Sequence, residues 1–184
     1  MLKEQLNLTI KRVLEDKLKG AQFAAKQAHD AAIDDQSVAE TQYDTLAIES
    51  AYLAEGQSRR IEQYHDELIQ LERVIEKLSR EHSAPHAQDS IIINSNKVKI
   101  GELVTIAAID ENRSESSEPL KHYYLMPIAA GLEISLDMDS KTICFTVITP
   151  QSPLGKRLLG CELGEEVELS FNAQSRLGEI IEIS

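Results

Sequence analysis

The sequence predicts an α+β protein in two modules: an antiparallel α-helical coiled-coil hairpin over residues 1–82, then a small antiparallel-sheet domain with one short helix over residues 91–184. Three observations carry this. Before residue 85 there is no proline and the glycines are Gly20 and Gly56, whereas all five prolines follow. Apolar residues recur at alternating spacings of three and four in the first segment, the seam of a coiled coil. After the break they alternate with polar residues in short runs separated by turn residues, the pattern of strands.

The first helix carries its seam on Leu14, Leu18, Ala21, Ala25, Ala28 and Ala32. The second is read along Leu46, Ser50, Leu53, Gln57, Arg60, Tyr64, Leu68, Leu71, Ile75 and Leu78. Between them Ser37 and Glu40 form a capping box, in which each side chain satisfies an orphan backbone N–H of a new helix. The helices are therefore placed at 2–33 and 38–82, with the tip at 34–37. At about 1.5 Å per residue the first arm extends about 48 Å. Alanines toward the tip make it thin, and Val13, Leu14, Leu68, Leu71, Ile75 and Leu78 form its base. "SAPHAQDS" at 83–90 is the linker.

Strands are expected in "SIIIN", "KVKIGELVTIAAID", "KHYYLMPI", "LEISLD", "TICFTVIT", "EEVELSF" and "RLGEIIEI", with "ENRSESSEP" at 111–119 as a polar hairpin loop. The short helix lies in "TPQSPLGKRLLGCELGEEV", residues 149–167. Ser152 is an N-cap, Pro153 the first helical residue, and Gly160 a left-handed exit.

Composition excludes several function classes. Aromatics make up 4% of the 184 residues and there is no Trp, which leaves little for an aromatic-lined pocket or a base-stacking platform. The net charge of −12 opposes generic duplex binding through phosphate neutralisation. Cys144 and Cys161 lack metal-ligand spacing and are read as buried free thiols. No run has the length and apolarity of a membrane span, and the start is too charged for a signal peptide, so a soluble cytoplasmic protein is expected.

Reactive groups are sparse. Asp34, Asp35, Glu40 and Asp44 gather near the tip, where carboxylates either cap and solvate helix ends or share a Mg²⁺. Lys11, Arg12, Lys17, Lys19 and Lys26, with Arg59 and Arg60 on the second helix, form either a salt-bridged face or a phosphate-contacting stripe. Arg59 and Arg60 are the candidate nucleic-acid contacts. His29, His65, His82, His86 and His122 form no triad, and Pro85 separates the pair His82 and His86. No GxSxG, Walker loop or GxGxxG occurs.

The layout, a thin hairpin with acids at its tip followed by a small sheet domain, resembles the bacterial Gre transcript-cleavage factors. "TPQSPLGKRLLGCELGEEV" is similar to the Ser-Pro-x-Gly/Ala-x-x-Leu-x-Gly block of their C-terminal domain, and "NKVKIGELVTI" to its opening strand, with Ile100, Gly101, Val104 and Ile106 in frame. In the second helix Glu40, Ala47, Glu49, Glu55 and Gly56 keep the family's spacing. The resemblance implies an FKBP-like C-terminal domain. It also implies docking on the rim of RNA polymerase's secondary channel through Pro150, Ser152, Pro153, Gly155 and Leu159, with the tip entering toward the active site. The factor would be no enzyme itself, since any cleavage belongs to the polymerase. It would act as a monomer, meet nascent RNA only within that complex, and need no cofactor beyond Mg²⁺ shared with the polymerase. One departure stands out. Gre factors that stimulate cleavage carry Asp-x-x-Glu at the tip, whereas here Ser37 precedes Glu40, and in the alternative frame Gln36 and Ala39 fall there. Asp34 or Asp35 would have to assist Glu40.

Two other functions fit the same modules. An FKBP-like domain suggests a peptidyl-prolyl isomerase or chaperone, for which Phe145, Phe171, Tyr123 and Tyr124 are the available aromatics. The helices alone suggest a coiled-coil adaptor, which would have to dimerise.

Overall fold

The computed structural model describes residues 2–34, 45–83, 97–109, 119–138, 141–171 and 174–184. Its elements are two long helices, α1 (Leu2–Asp34) and α2 (Thr45–Ser83), then strands β1 (Leu103–Ile109), β2 (Lys121–Leu125), β3 (Glu133–Met138) and β4 (Lys141–Ile148). A short helix α3 (Pro153–Leu158) and strands β5 (Glu166–Phe171) and β6 (Gln174–Ile183) complete the chain. The α+β class is as the sequence predicts. The chain divides into two compact units, Leu8–Glu72 on the one hand and Met1–Asn7 with Arg73–Ser184 on the other.

In the helical unit Ile10, Leu14, Ala21, Ala28 and Leu71 are buried. Leu18, Ala24 and Ala25 are half-buried beside them. Lys11 Nζ on α1 lies 3.0 Å from Glu72 Oε1 on α2, so the N-terminal part of one helix meets the C-terminal part of the other, as an antiparallel hairpin requires. Residues 35–44, which hold the expected capping box and the start of the second helix, lie outside the described residues.

The seam of α2 differs from the sequence reading. Ala54, Gln57, Ile61, Tyr64, Leu68 and Leu71 are the sheltered positions, while Leu53 is 54% exposed and Arg60 is exposed. The cause is the helical period. The expected seam contained two consecutive steps of four, Arg60 to Tyr64 to Leu68; strict alternation of three and four counted back from Leu68 passes through Ile61 and Ala54. Leu6 and Ile10, outside the expected seam, are fully buried. They precede Leu14 at steps of four, on one helix face.

In the second unit the six strands form one sheet in the order β3-β4-β2-β1-β6-β5. Four pairings are antiparallel, but β2 and β4 run parallel, with His122 opposite Phe145 and Leu125 opposite Ile148. The sheet is therefore mixed where the sequence suggested wholly antiparallel. Short loops favour antiparallel neighbours, and here β3 pairs with β4 at the edge, so that β4 returns between β3 and β2. β1 begins at Leu103, after a turn in which Glu102 N–H donates to Lys99 O (3.1 Å) and Gly101 N–H to Leu125 O (2.7 Å). Lys97 makes only an isolated bridge to Glu162. "SIIIN" and most of the 111–119 loop lie outside the described residues, although β1 and β2 pair as the hairpin they would join.

β1 is buried on both faces from Leu103 to Ala107, which fits its nearly unbroken apolar run. On one face Val104, Ile106, Tyr123, Leu125, Ile148, Val167, Leu169 and Ile180 pack with Leu158 of α3. On the other, Tyr124 is fully buried and its hydroxyl donates to Asn7 Oδ1 (2.8 Å). Lys3 Nζ reaches Glu102 Oε2 (3.0 Å), and the Leu78 side chain lies directly over Gly101. The first turns of α1 and the last of α2 thus belong to the sheet unit.

Candidate docking site on the sheet domain

The block from Thr149 to Gly160 is built by a few strong local constraints. Ser152 has extended backbone angles and serves as the N-cap: its Oγ accepts from Gly155 N–H (3.0 Å) and donates to Thr149 O (2.7 Å). Ser152 N–H also donates to Thr149 O (3.0 Å), so one residue ties the strand end to the first helical turn. Pro153 loses nothing there, because the N–H it lacks would have no helical partner. A Cβ at Gly155 would run into the Thr149 carbonyl group; only glycine fits that close approach. Gly160, at φ 88°, turns the chain out of α3, and its N–H donates to Val98 O (2.9 Å).

α3 is anchored at two further points. Leu158 is fully buried against the sheet. Arg157 Nη1 donates to Glu168 O on β5 (2.7 Å), and Nη2 lies 3.4 Å from Glu168 Oε2. The helix is so fixed that Pro153 and Leu159 face solvent, Leu159 at 46% exposure, while Pro150 and Ser152 are half-buried and Gly155 is buried. The five expected docking residues lie in this one turn, Pro153 and Leu159 on its exposed side. Pro153 and Leu159 can touch a partner directly; Ser152 and Gly155 hold the shape.

Beside this turn lies a cavity of about 350 Å³ between α3 and the sheet, walled by Tyr123, Gly131, Ile148, Ser152, Leu154 and Leu169 among others. Tyr123 is 4% exposed, and its hydroxyl is buried without a hydrogen-bond partner. Burial pushes its pKa up. The cavity was not legible in the sequence, because it depends on how far α3 stands off β2 and β4. Among the described aromatic side chains Tyr123 alone lines it: Tyr124 faces Asn7, and Phe145 tilts against His122 with ring centroids 5.5 Å apart. The side chain of Phe171 lies outside the described residues.

On the opposite face Thr105 Oγ1 lies 3.1 Å from His122 Nδ1 and 3.2 Å from Glu182 Oε2. A carboxylate only accepts, so the threonine proton goes to Glu182 and the imidazole presents Nδ1–H to Thr105. Thr105 is buried, and the trio is a structural bridge rather than an activated nucleophile. Burial pulls the His122 pKa down, partly offset by the Glu182 charge.

The remaining candidate residues are dispersed. Arg59 is exposed and paired with Glu55 (2.8 Å) one turn earlier on α2; Arg60, off the seam, is exposed. Asp34 ends α1, but its side chain, Asp35, Ser37, Glu40 and Asp44 lie outside the described residues. Among the described residues no three metal-binding side chains cluster, and no helix is long and apolar enough to cross a membrane. Neither cysteine is buried as expected. Cys144 is exposed, on the half of β4 that alternates outward beside the edge strand, and Cys161 is half-buried with its thiol directed at Arg157 O.

No protein-family model matches the chain, and no curated protein does. Among solved structures, GreA factor homolog 1 (Gfh1) of Thermus thermophilus aligns at 17% identity, over 95% of this chain and 94% of that one, with a TM-score of 0.33. A structure of the transcription factor Gfh1 aligns at 16% identity over 94% and 92%, with a TM-score of 0.34. Thermus aquaticus Gfh1 aligns at 14% identity, over 94% and 92%, with a TM-score of 0.33.

Proposed function

We infer that this chain is a Gre-type regulator of bacterial RNA polymerase that docks at the secondary channel and does not stimulate transcript cleavage. The observation that carries the reading is the turn from Thr149 to Gly160. Its motif residues resemble the Gre block, and each has a physical task there: Ser152 caps, Pro153 leads, Gly155 admits the Thr149 carbonyl, Gly160 exits. A turn fixed in advance presents Pro153 and Leu159 to a partner with little loss of conformational freedom on binding.

The helical hairpin supplies the second half of the proposal. With the sheet domain on the channel rim, the tip residues enter toward the polymerase active site. Mg²⁺ there would supply charge stabilisation and an activated water, and this chain's part would be to place carboxylates beside it. Glu40 with Ser37 offers one acid where cleavage factors offer two. The factor therefore occupies the channel, acting as an inhibitor or as a competitor of cleavage factors, and remains a non-enzymatic monomer in the cytoplasm. Arg60, exposed on α2, is the better placed of the two arginines for nucleic acid within that complex, since Arg59 is already paired.

The isomerase reading gains little support from a cavity in which Tyr123 is the one aromatic among the described residues. The binding test is direct. Wild-type chain is titrated against purified bacterial core RNA polymerase, with Leu159→Asp in parallel. Binding that the substitution weakens at least about tenfold, the equivalent of about 1.4 kcal/mol, supports the docking edge. Absence of wild-type binding removes the proposal.

A further inference from the structure

We draw no further inference here: the strongest candidate, the cavity of about 350 Å³ between α3 and the sheet, belongs to the docking site already described, and nothing in the structure shows what else would fill it.

Discussion

Gly155 shows how much a single atom decides in this molecule. Its missing side chain is what lets the Thr149 carbonyl sit against the first turn of α3, so Gly155→Ala forces the strand end and the helix apart. A loss of about 2 kcal/mol in unfolding free energy is expected, with polymerase binding lost in step; urea titration beside the binding assay checks both. Ser152→Ala removes the cap and is expected to cost about 1 kcal/mol. Tyr124 makes a prediction that depends on pH. Burial, aided by the Glu102 charge, pushes its pKa up to about 12, against about 10 in an unfolded chain. Above pH 10 the unfolded chain releases this proton while the folded chain keeps it, so stability falls as pH rises toward 12. Tyr124→Phe, which leaves Asn7 without its donor, is expected to cost about 1 kcal/mol at pH 8; that deficit should shrink as pH is raised through 10. Denaturant curves for both proteins across that range provide the check. The roles of Ser152, Pro153 and Gly160 were legible in sequence because capping and left-handed exits depend on a few adjacent residues. Tyr123 and Tyr124 were not separable, since two neighbouring tyrosines on a strand face opposite sides and only the tertiary partners tell them apart.

At the scale of elements, the two helices give the clearest contrast between pattern and packing. The expected seam, with two consecutive steps of four, passed through Leu53 and Arg60, whereas the sheltered stripe follows the helical period through Ala54 and Ile61. The base was readable because Leu14, Leu68 and Leu71 are both large and in period. In the distal half the sheltered positions include Ala54 and Gln57, small or polar, so residue type alone does not mark the seam. Ile61→Ala is therefore expected to lower the helical unit's stability more than Leu53→Ala, which should stay within about 0.5 kcal/mol of wild type; Leu71→Ala, at a fully buried site, is expected to cost about 2–5 kcal/mol. Circular dichroism during thermal unfolding ranks the three. Strand positions were likewise legible from alternation, as in β5, where Val167 and Leu169 are buried and Glu166 and Glu168 exposed. The parallel pairing of β2 with β4 was not, because alternation sets which face a residue occupies and is silent about neighbours.

At the scale of the whole molecule, the two compact units do not follow the proline boundary. The first seven residues and the end of α2 group with the sheet, through Asn7 with Tyr124, Lys3 with Glu102 and Leu78 with Gly101. Composition marked where helix gives way to strand, but long-range contacts of the chain ends leave no trace in local composition. The same reasoning separates the two halves of the functional account. In the proposed account docking would rest on the α3 turn, while any action in the channel would depend on the acids of the tip, where Ser37 stands in place of one of two carboxylates. The decisive measurement is RNA cleavage in purified, backtracked elongation complexes at a concentration of this chain shown to bind polymerase, with Glu40→Ala alongside. Binding with no increase in cleavage over polymerase alone, and no change on Glu40→Ala, is the predicted result. Stimulated cleavage that Glu40→Ala abolishes would contradict it, and would mean that Glu40, assisted by Asp34 or Asp35, still completes the catalytic acids of the tip.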